Sequence, residues 1–294
     1  MIKPSRVGTS AAISSEALVV LGAGRPKRGG THSALQDAGA GSRVLDWLLQ
    51  AFSGNELEVQ FVGGYQLEAV SQRYPDFRYI ENPDWEKTGA AASLLRADLL
   101  ELQSLFVSYS DILYRREAVS ALSGSDAPIT VAVDSYWKDR YRGRPIEDIT
   151  DCEKVNLANE TITRLGVSIE PDLADAEFIG LVRFSADGIV ALRQLCDSEA
   201  AVLARENLSG LIEWLRVRGV SVKAVDIAGR WAELNEPRDL AHFVLGTKAQ
   251  TLARLRSLVR HSQIEDQVTV TVAEWQFDPG VILERIQTTF ANPL

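Results

Sequence analysis

Short apolar runs alternate with segments of helical spacing along most of this chain. Leu18–Leu21 is apolar at every position and ends at Gly22, which predicts a buried strand. Val44–Phe52 carries apolar residues at helical spacing, with Ser42 as its expected N-cap. Leu57–Val62 and Phe77–Ile80 predict two more strands, followed by helices at Gln66–Arg73 and Ala90–Arg96 respectively. The β-rich runs Leu105–Tyr109 and Ile129–Val133 flank a helical segment at Arg116–Leu122. Ser135–Asp175 then breaks the pattern and reads as an irregular, lid-like insertion rich in charges and aromatics. A strand at Glu177–Phe184, helices at Ala186–Leu195 and Asn207–Arg218, and a strand at Ser221–Asp226 follow. The rest is expected to be helical, except for the β-branched run Val268–Val272. This alternation predicts an α/β fold with a largely parallel sheet, whose ligands gather at the carboxyl ends of the strands. Residues 1–16 read as a leader, 17–245 as one domain containing the insertion 135–175, and 246–294 as a C-terminal helical appendage.

The bulk properties narrow the function. With 294 residues, 46% hydrophobic and 24% charged, the chain can build a substantial core. A net charge of −9 argues against a nucleic-acid partner and makes any anion site local. No apolar stretch approaches the length of a membrane span, and Ala17–Leu21 is too short for a signal sequence. Cys152 and Cys196 cannot make a disulfide framework or a zinc site, and His32, His242 and His261 are scattered. The expectation is a cytoplasmic protein, with a homodimer left open.

Candidate chemistry begins after the first strand, at Gly22-Ala23-Gly24-Arg25-Pro26-Lys27-Arg28-Gly29-Gly30. Glycines there allow close backbone approach, and three cations beside exposed N–H groups suit a polyphosphate. A dinucleotide loop is excluded because Lys27 stands where the third glycine belongs. A P-loop is excluded because Gly30 occupies its lysine position. Asp111 ends the strand through Ser110, on the ligand side of a parallel sheet, where an acid can hold Mg²⁺. In Trp231-Ala232-Glu233-Leu234-Asn235, alternation puts Glu233 and Asn235 on one face, so both could serve the same ion; Asn235 could equally cap a helix.

These segments, taken in order, resemble the nucleotidyltransferases that act on sugar phosphates and phospho-alcohols. Gly22-Ala23-Gly24-Arg25 looks like their opening, and Gly64-Tyr65-Gln66-Leu67-Glu68-Ala69-Val70 like their G-Y-x-x-E-x-I segment. Asn82 to Leu94 matches N-P-x-x-x-x-T-x-x-x-x-S-L, Ser110-Asp111 takes the place of a G-D pair, and Trp231 to Leu240 looks like their closing W-x-[DE]-[IV]-[DN]-x-x-x-D-L. Val133 to Tyr141 and Ala176 to Leu181 narrow the resemblance to the domains found with phosphoenolpyruvate mutases and to phosphonate cytidylyltransferases.

The resemblance implies a Rossmann-like mixed sheet, Mg²⁺ as cofactor, and transfer of CMP from CTP to a small phosphonate. It implies nucleotide contacts from Gly22, Ala23, Gly24, Arg25, Asn82, Thr88, Gly89, Ser93 and Ser110, and metal ligation by Asp111, Glu233 and Asn235. Trp137, Lys138, Arg140, Tyr141, Arg142 and Glu177 would take the acceptor, with Arg144 adding charge. The family's phosphate-contacting lysine has no counterpart in Thr31-His32-Ser33-Ala34-Leu35; Lys27 or Arg28, beside Arg25 and Asp111, would replace it in catalysis. A phosphocholine or sugar-phosphate acceptor, or nucleotide binding without catalysis, remain alternatives.

Overall fold

The computed structural model describes residues 15–290, apart from 28, 40, 142–143, 235–236, 247, 257–258 and 271. The chain divides between Asn235 and Glu236 into two compact units.

The first unit is organised by its opening strand. In β1 (Glu16–Gly22) successive side chains point to opposite faces, and both faces are covered. Ala17, Val19 and Leu21 join one core cluster and Leu18 and Val20 the other, so a helical layer packs on each side of the sheet. One layer holds α1 (Val44–Ala51) and α4 (Arg116–Ser123), which bury Leu45, Leu48, Val119 and Leu122. The opposite layer holds α3 (Ala90–Leu94), α7 (Ala186–Leu203) and α8 (Leu208–Val217). It buries Leu94, Leu192, Leu211 and Leu215, each such side chain contributing about 1.5–3 kcal/mol. α2 (Leu67–Arg73) links two strands.

The nine-stranded sheet runs in the order β3 (Arg78–Glu81), β2 (Glu58–Gly63), β1, β4 (Ser104–Tyr109), β9 (Ala176–Ser185), β6 (Ile129–Asp134), β10 (Val222–Asp226), β8 (Thr161–Gly166), β7 (Lys154–Ala158). β3, β2, β1 and β4 pair in parallel, as do β6 and β10. β9 runs antiparallel between β4 and β6, which brings its first residues beside their carboxyl ends. The register against β6 slips between Val131 and Val133. Opposite that slip Gly180 has φ +87°, and a Cβ there would collide with the Tyr109 ring. A second, two-stranded sheet pairs β5 (Ile112–Tyr114) with β11 (Trp231–Glu233).

Three expectations are corrected. Arg43, not Ser42, caps α1, because the Asp46 carboxylate reaches back to the Arg43 N–H at 2.7 Å. Residues 135–175 are not irregular: they form α5 (Trp137–Arg140), α6 (Ile146–Asp151) and the β7–β8 hairpin. Asn159, at φ +56°, turns that hairpin, and its strands extend the sheet against β9 and β10. The Val268–Val272 run is not a strand: 268–270 lie outside helix and strand, and Val272 opens a helix. A β-branched run becomes a strand only where an edge pairs with it, and no pairing is formed there among the described residues.

The second unit contains α9 (Pro237–Leu245), α10 (Lys248–Leu255), α11 (Val272–Phe277) and α12 (Pro279–Thr289). Asp278 caps α12 by accepting from the N–H groups of Gly280 and Val281. Arg256 pairs with Asp266 at 3.0 Å.

Candidate active site

The loop leaving β1 is fastened by a histidine. A Cβ on Gly22 would strike the Phe61 ring, so only glycine passes there, whereas Gly24 faces open space. His32 is fully buried, and burial holds its pKa below the usual value. Its Nδ1 accepts from the Ala34 N–H at 3.1 Å, so Nε2 carries the proton and donates to the Gly22 carbonyl at 2.7 Å. A neutral imidazole committed at both nitrogens cannot replace the absent lysine. Gln66, at φ +50°, accepts from the His32 N–H, and the Tyr65 hydroxyl donates to Gly30 O at 2.8 Å. The Arg25 guanidinium lies 5.7 Å from the Tyr65 ring centre. Lys27 is exposed and pairs loosely with Asp148 at 3.8 Å. Arg28 lies outside the described residues.

Asn82, Thr88 and Ser93 do come together, but they are turned toward one another. The buried Asn82 amide donates to Thr88 Oγ1 and Ser93 Oγ, both at 3.0 Å, and Thr88 donates to the Asp84 carbonyl. Gly89 presses on the chain at Glu206, where a Cβ would meet a carbonyl oxygen at 2.0 Å. This network shapes the 82–94 segment. Ser110 is buried too, its N–H bonded to Leu21 O.

The chemistry concentrates where the β5–β11 ribbon meets the carboxyl end of β4. Asp111 occupies the turn between β4 and β5, and its carbonyl accepts from the Leu234 N–H at 2.9 Å. Antiparallel pairing sets Glu233 opposite Ile112, next to Asp111, and the two acids are near enough to repel each other, so they share one corner. Burial pushes the Asp111 carboxyl up to about 7; Glu233 adds repulsion and Lys27 opposes it. Asn235 lies outside the described residues.

Beside this corner is a cavity of about 290 Å³. Its aromatic walls are Tyr109, Tyr141, Phe178 and Trp231. Its charges are Lys27 and Arg144 against Asp148, Asp151, Glu153, Glu177 and Glu233. Arg140 stands behind these walls: its Nη2 donates to both Glu177 oxygens at 2.9 and 3.1 Å and lies 3.6 Å from Glu233. Its guanidinium covers the Trp231 ring at 4.0 Å. The Tyr141 hydroxyl donates to Glu177 at 2.5 Å. Burial raises the Glu177 carboxyl to about 7, with Arg140 and Tyr141 pulling it back.

Of the six acceptor candidates, Tyr141 and Glu177 line the cavity and Arg140 backs it. Trp137 does not wall it: the ring is buried against Tyr141 and Cys152. Lys138 is exposed and leans toward Asp172 at 3.9 Å. Arg142 lies outside the described residues.

Sequence reasoning missed Glu153 and Tyr109. Tyr109 donates to both Glu153 oxygens at 3.1 Å, and the Ser209 hydroxyl donates at 3.0 Å from the start of α8. Burial raises Glu153 to about 7. The alternation Val155, Leu157 after Glu153 is the signal that could have put this acid at the foot of a strand.

No family model matches the chain. It is 24% identical over 216 residues to the CTP:phosphoglutamine cytidylyltransferase of Campylobacter jejuni, across 67% of this chain and 85% of that protein. It shares its fold with the inositol-1-phosphate CTP transferase of T. maritima, at a TM-score of 0.59 and 20% identity, over 76% of this chain and 91% of the other. The CTP:phosphocholine cytidylyltransferase of Streptococcus pneumoniae has the same fold, at a TM-score of 0.55 and 13% identity, over 77% and 96% of the two chains. The chain is thus similar in sequence to a cytidylyltransferase and has the fold of the nucleotidyltransferases.

Proposed function

We propose that this chain transfers CMP from CTP to a small phosphonate and releases pyrophosphate, a step of phosphonate natural-product assembly. The observation that carries the reading is the Asp111–Glu233 corner beside a cavity with cations at Lys27 and Arg144. In this reading an acceptor oxygen bonds to the α-phosphorus of CTP as the bond to pyrophosphate breaks. A phosphonate oxygen is already anionic near neutral pH, so the chain supplies positioning and charge, not a base.

The donor set fits Mg²⁺, which takes one or two carboxylates and leaves its other positions to phosphates and water. Two part-buried acids that repel each other are relieved by a dication. Asp111 and Glu233 would hold it, with Asn235 as a third candidate. When bound, the ion would offset charge on the α-phosphate. Lys27 and Arg25, on the loop after β1, would oppose charge growing on the departing pyrophosphate. Arg144 would meet the acceptor's anionic end, while Arg140 supports Glu177 and Glu233 from behind.

The five acids around the cavity support a second reading, in which the acceptor also carries an ammonium group, as phosphocholine does. Pyrophosphate release, screened over four nucleoside triphosphates and over phosphonates and phosphate esters with and without an amine, separates these readings. CTP with a plain phosphonate is the pair expected to react. Release only with amine-bearing acceptors favours the second reading, and no release from any pair contradicts both.

A further inference from the structure

Glu233 sits on a strand of three residues whose only partner among the described residues is another of three. Such a ribbon has little of its own to hold register, and a slip of one residue would turn Glu233 to the opposite face. Trp231 and Glu233, two residues apart, share a face, so whatever anchors Trp231 also fixes the acid. The anchor is a buried carboxylate from a different sheet. Asp134, at the end of β6 and 2% exposed, accepts from the Trp231 indole N–H at 2.8 Å through Oδ2. Its Oδ1 accepts from the backbone N–H groups of Tyr136 at 2.9 Å and Gly229 at 2.7 Å. The indole face in turn carries Arg140 at 4.0 Å, and Arg140 reaches Glu233.

We infer that Asp134 is a positioning residue for the catalytic corner: by latching the Trp231 indole it holds β11 in register and aims Glu233 at Asp111. The inference rests on the proposed reaction for its kinetic consequence, not for the latch itself. The two oxygens have separate duties, which makes the latch testable. Asp134→Asn can keep Oδ1 on the two backbone donors while turning an N–H toward the indole N–H. The turn survives and only the latch opens.

The experiment combines Asp134→Asn, Trp231→Phe and the double variant. With indole nitrogens labelled, and the Trp231 signal assigned as the one missing from Trp231→Phe, hydrogen exchange at that N–H should speed up at least roughly tenfold in Asp134→Asn while the other indoles hold. Turnover should fall about tenfold, with half-saturating Mg²⁺ rising and the KM for CTP moving less than about twofold. In the Trp231→Phe background, where no indole N–H remains to clash, Asp134→Asn should cost little more. Unchanged exchange at Trp231, or an equal loss of turnover in both backgrounds, overturns the inference. If the unmodified chain transfers no nucleotide, the proposed reaction fails and the exchange rates still decide the latch.

Discussion

Asp111 is kept near neutrality by its surroundings: burial and, after it, the repulsion of Glu233 raise its carboxyl to about 7. Such a group costs the fold something, as acids at candidate sites do. Asp111→Ala should therefore leave the unfolding temperature unchanged or higher, while pyrophosphate release falls by roughly 10²–10³. Near-normal release from that variant would remove Asp111 from the chemistry. Glu153 shows a related cost. Its carboxyl is raised to about 7 by burial, so the folded chain holds a proton that the unfolded chain gives up at about 4.5. Between those values the folded state binds more protons, and stability falls as pH rises. Glu153→Gln cannot lose that proton, so its melting temperature relative to the unmodified chain should climb from about pH 5 to about pH 7.5. A constant difference across that range would show that Glu153 does not titrate there. The place of Asp111 at the carboxyl end of β4 was legible because it ends an apolar strand. Glu153 was not, since its role comes from Tyr109 and Ser209, which lie far from it in sequence.

The strands and helices around β1 were readable because each buries a periodic apolar face, and periodicity is local information. The hairpin β7–β8 was not readable. Its outer positions are polar, its turn is Asn159-Glu160 without a glycine, and the edge it pairs with comes from β9 and β10. The same holds for β5, three residues long and strand-like only because β11 returns to meet it. That ribbon is the element on which the acid pair depends. Leu234→Pro removes the N–H that donates to Asp111 O and should open the ribbon beside the turn. The expected outcome is at least a roughly tenfold loss of nucleotidyl transfer with the far-ultraviolet circular dichroism unchanged. Full activity would mean that the corner is held without this bond.

At the scale of the molecule, a parallel sheet gathers its functional loops at the carboxyl ends of its strands, and the cavity lies there. Ordered motifs from Gly22 to Asn235 made the nucleotidyltransferase fold legible, although Asn82 spends its amide donors on Thr88 and Ser93. The charge of the cavity was not legible. Lys138 and Arg140 read as acceptor cations, yet one leans toward Asp172 and the other is committed to Glu177, which leaves the lining predominantly acidic. No described helix is long and apolar enough to cross a membrane. The central claim is nucleotidyl transfer at the Asp111–Glu233 corner, and phosphorus NMR of the chain with CTP, Mg²⁺ and a small phosphonate tests it most directly. The predicted spectrum gains pyrophosphate together with two mutually coupled signals, one from the CMP phosphate and one from a carbon-bonded phosphorus, and Asp111→Ala slows the appearance of all three by roughly 10²–10³. Pyrophosphate without the coupled pair, or unchanged CTP and phosphonate signals, would contradict the account.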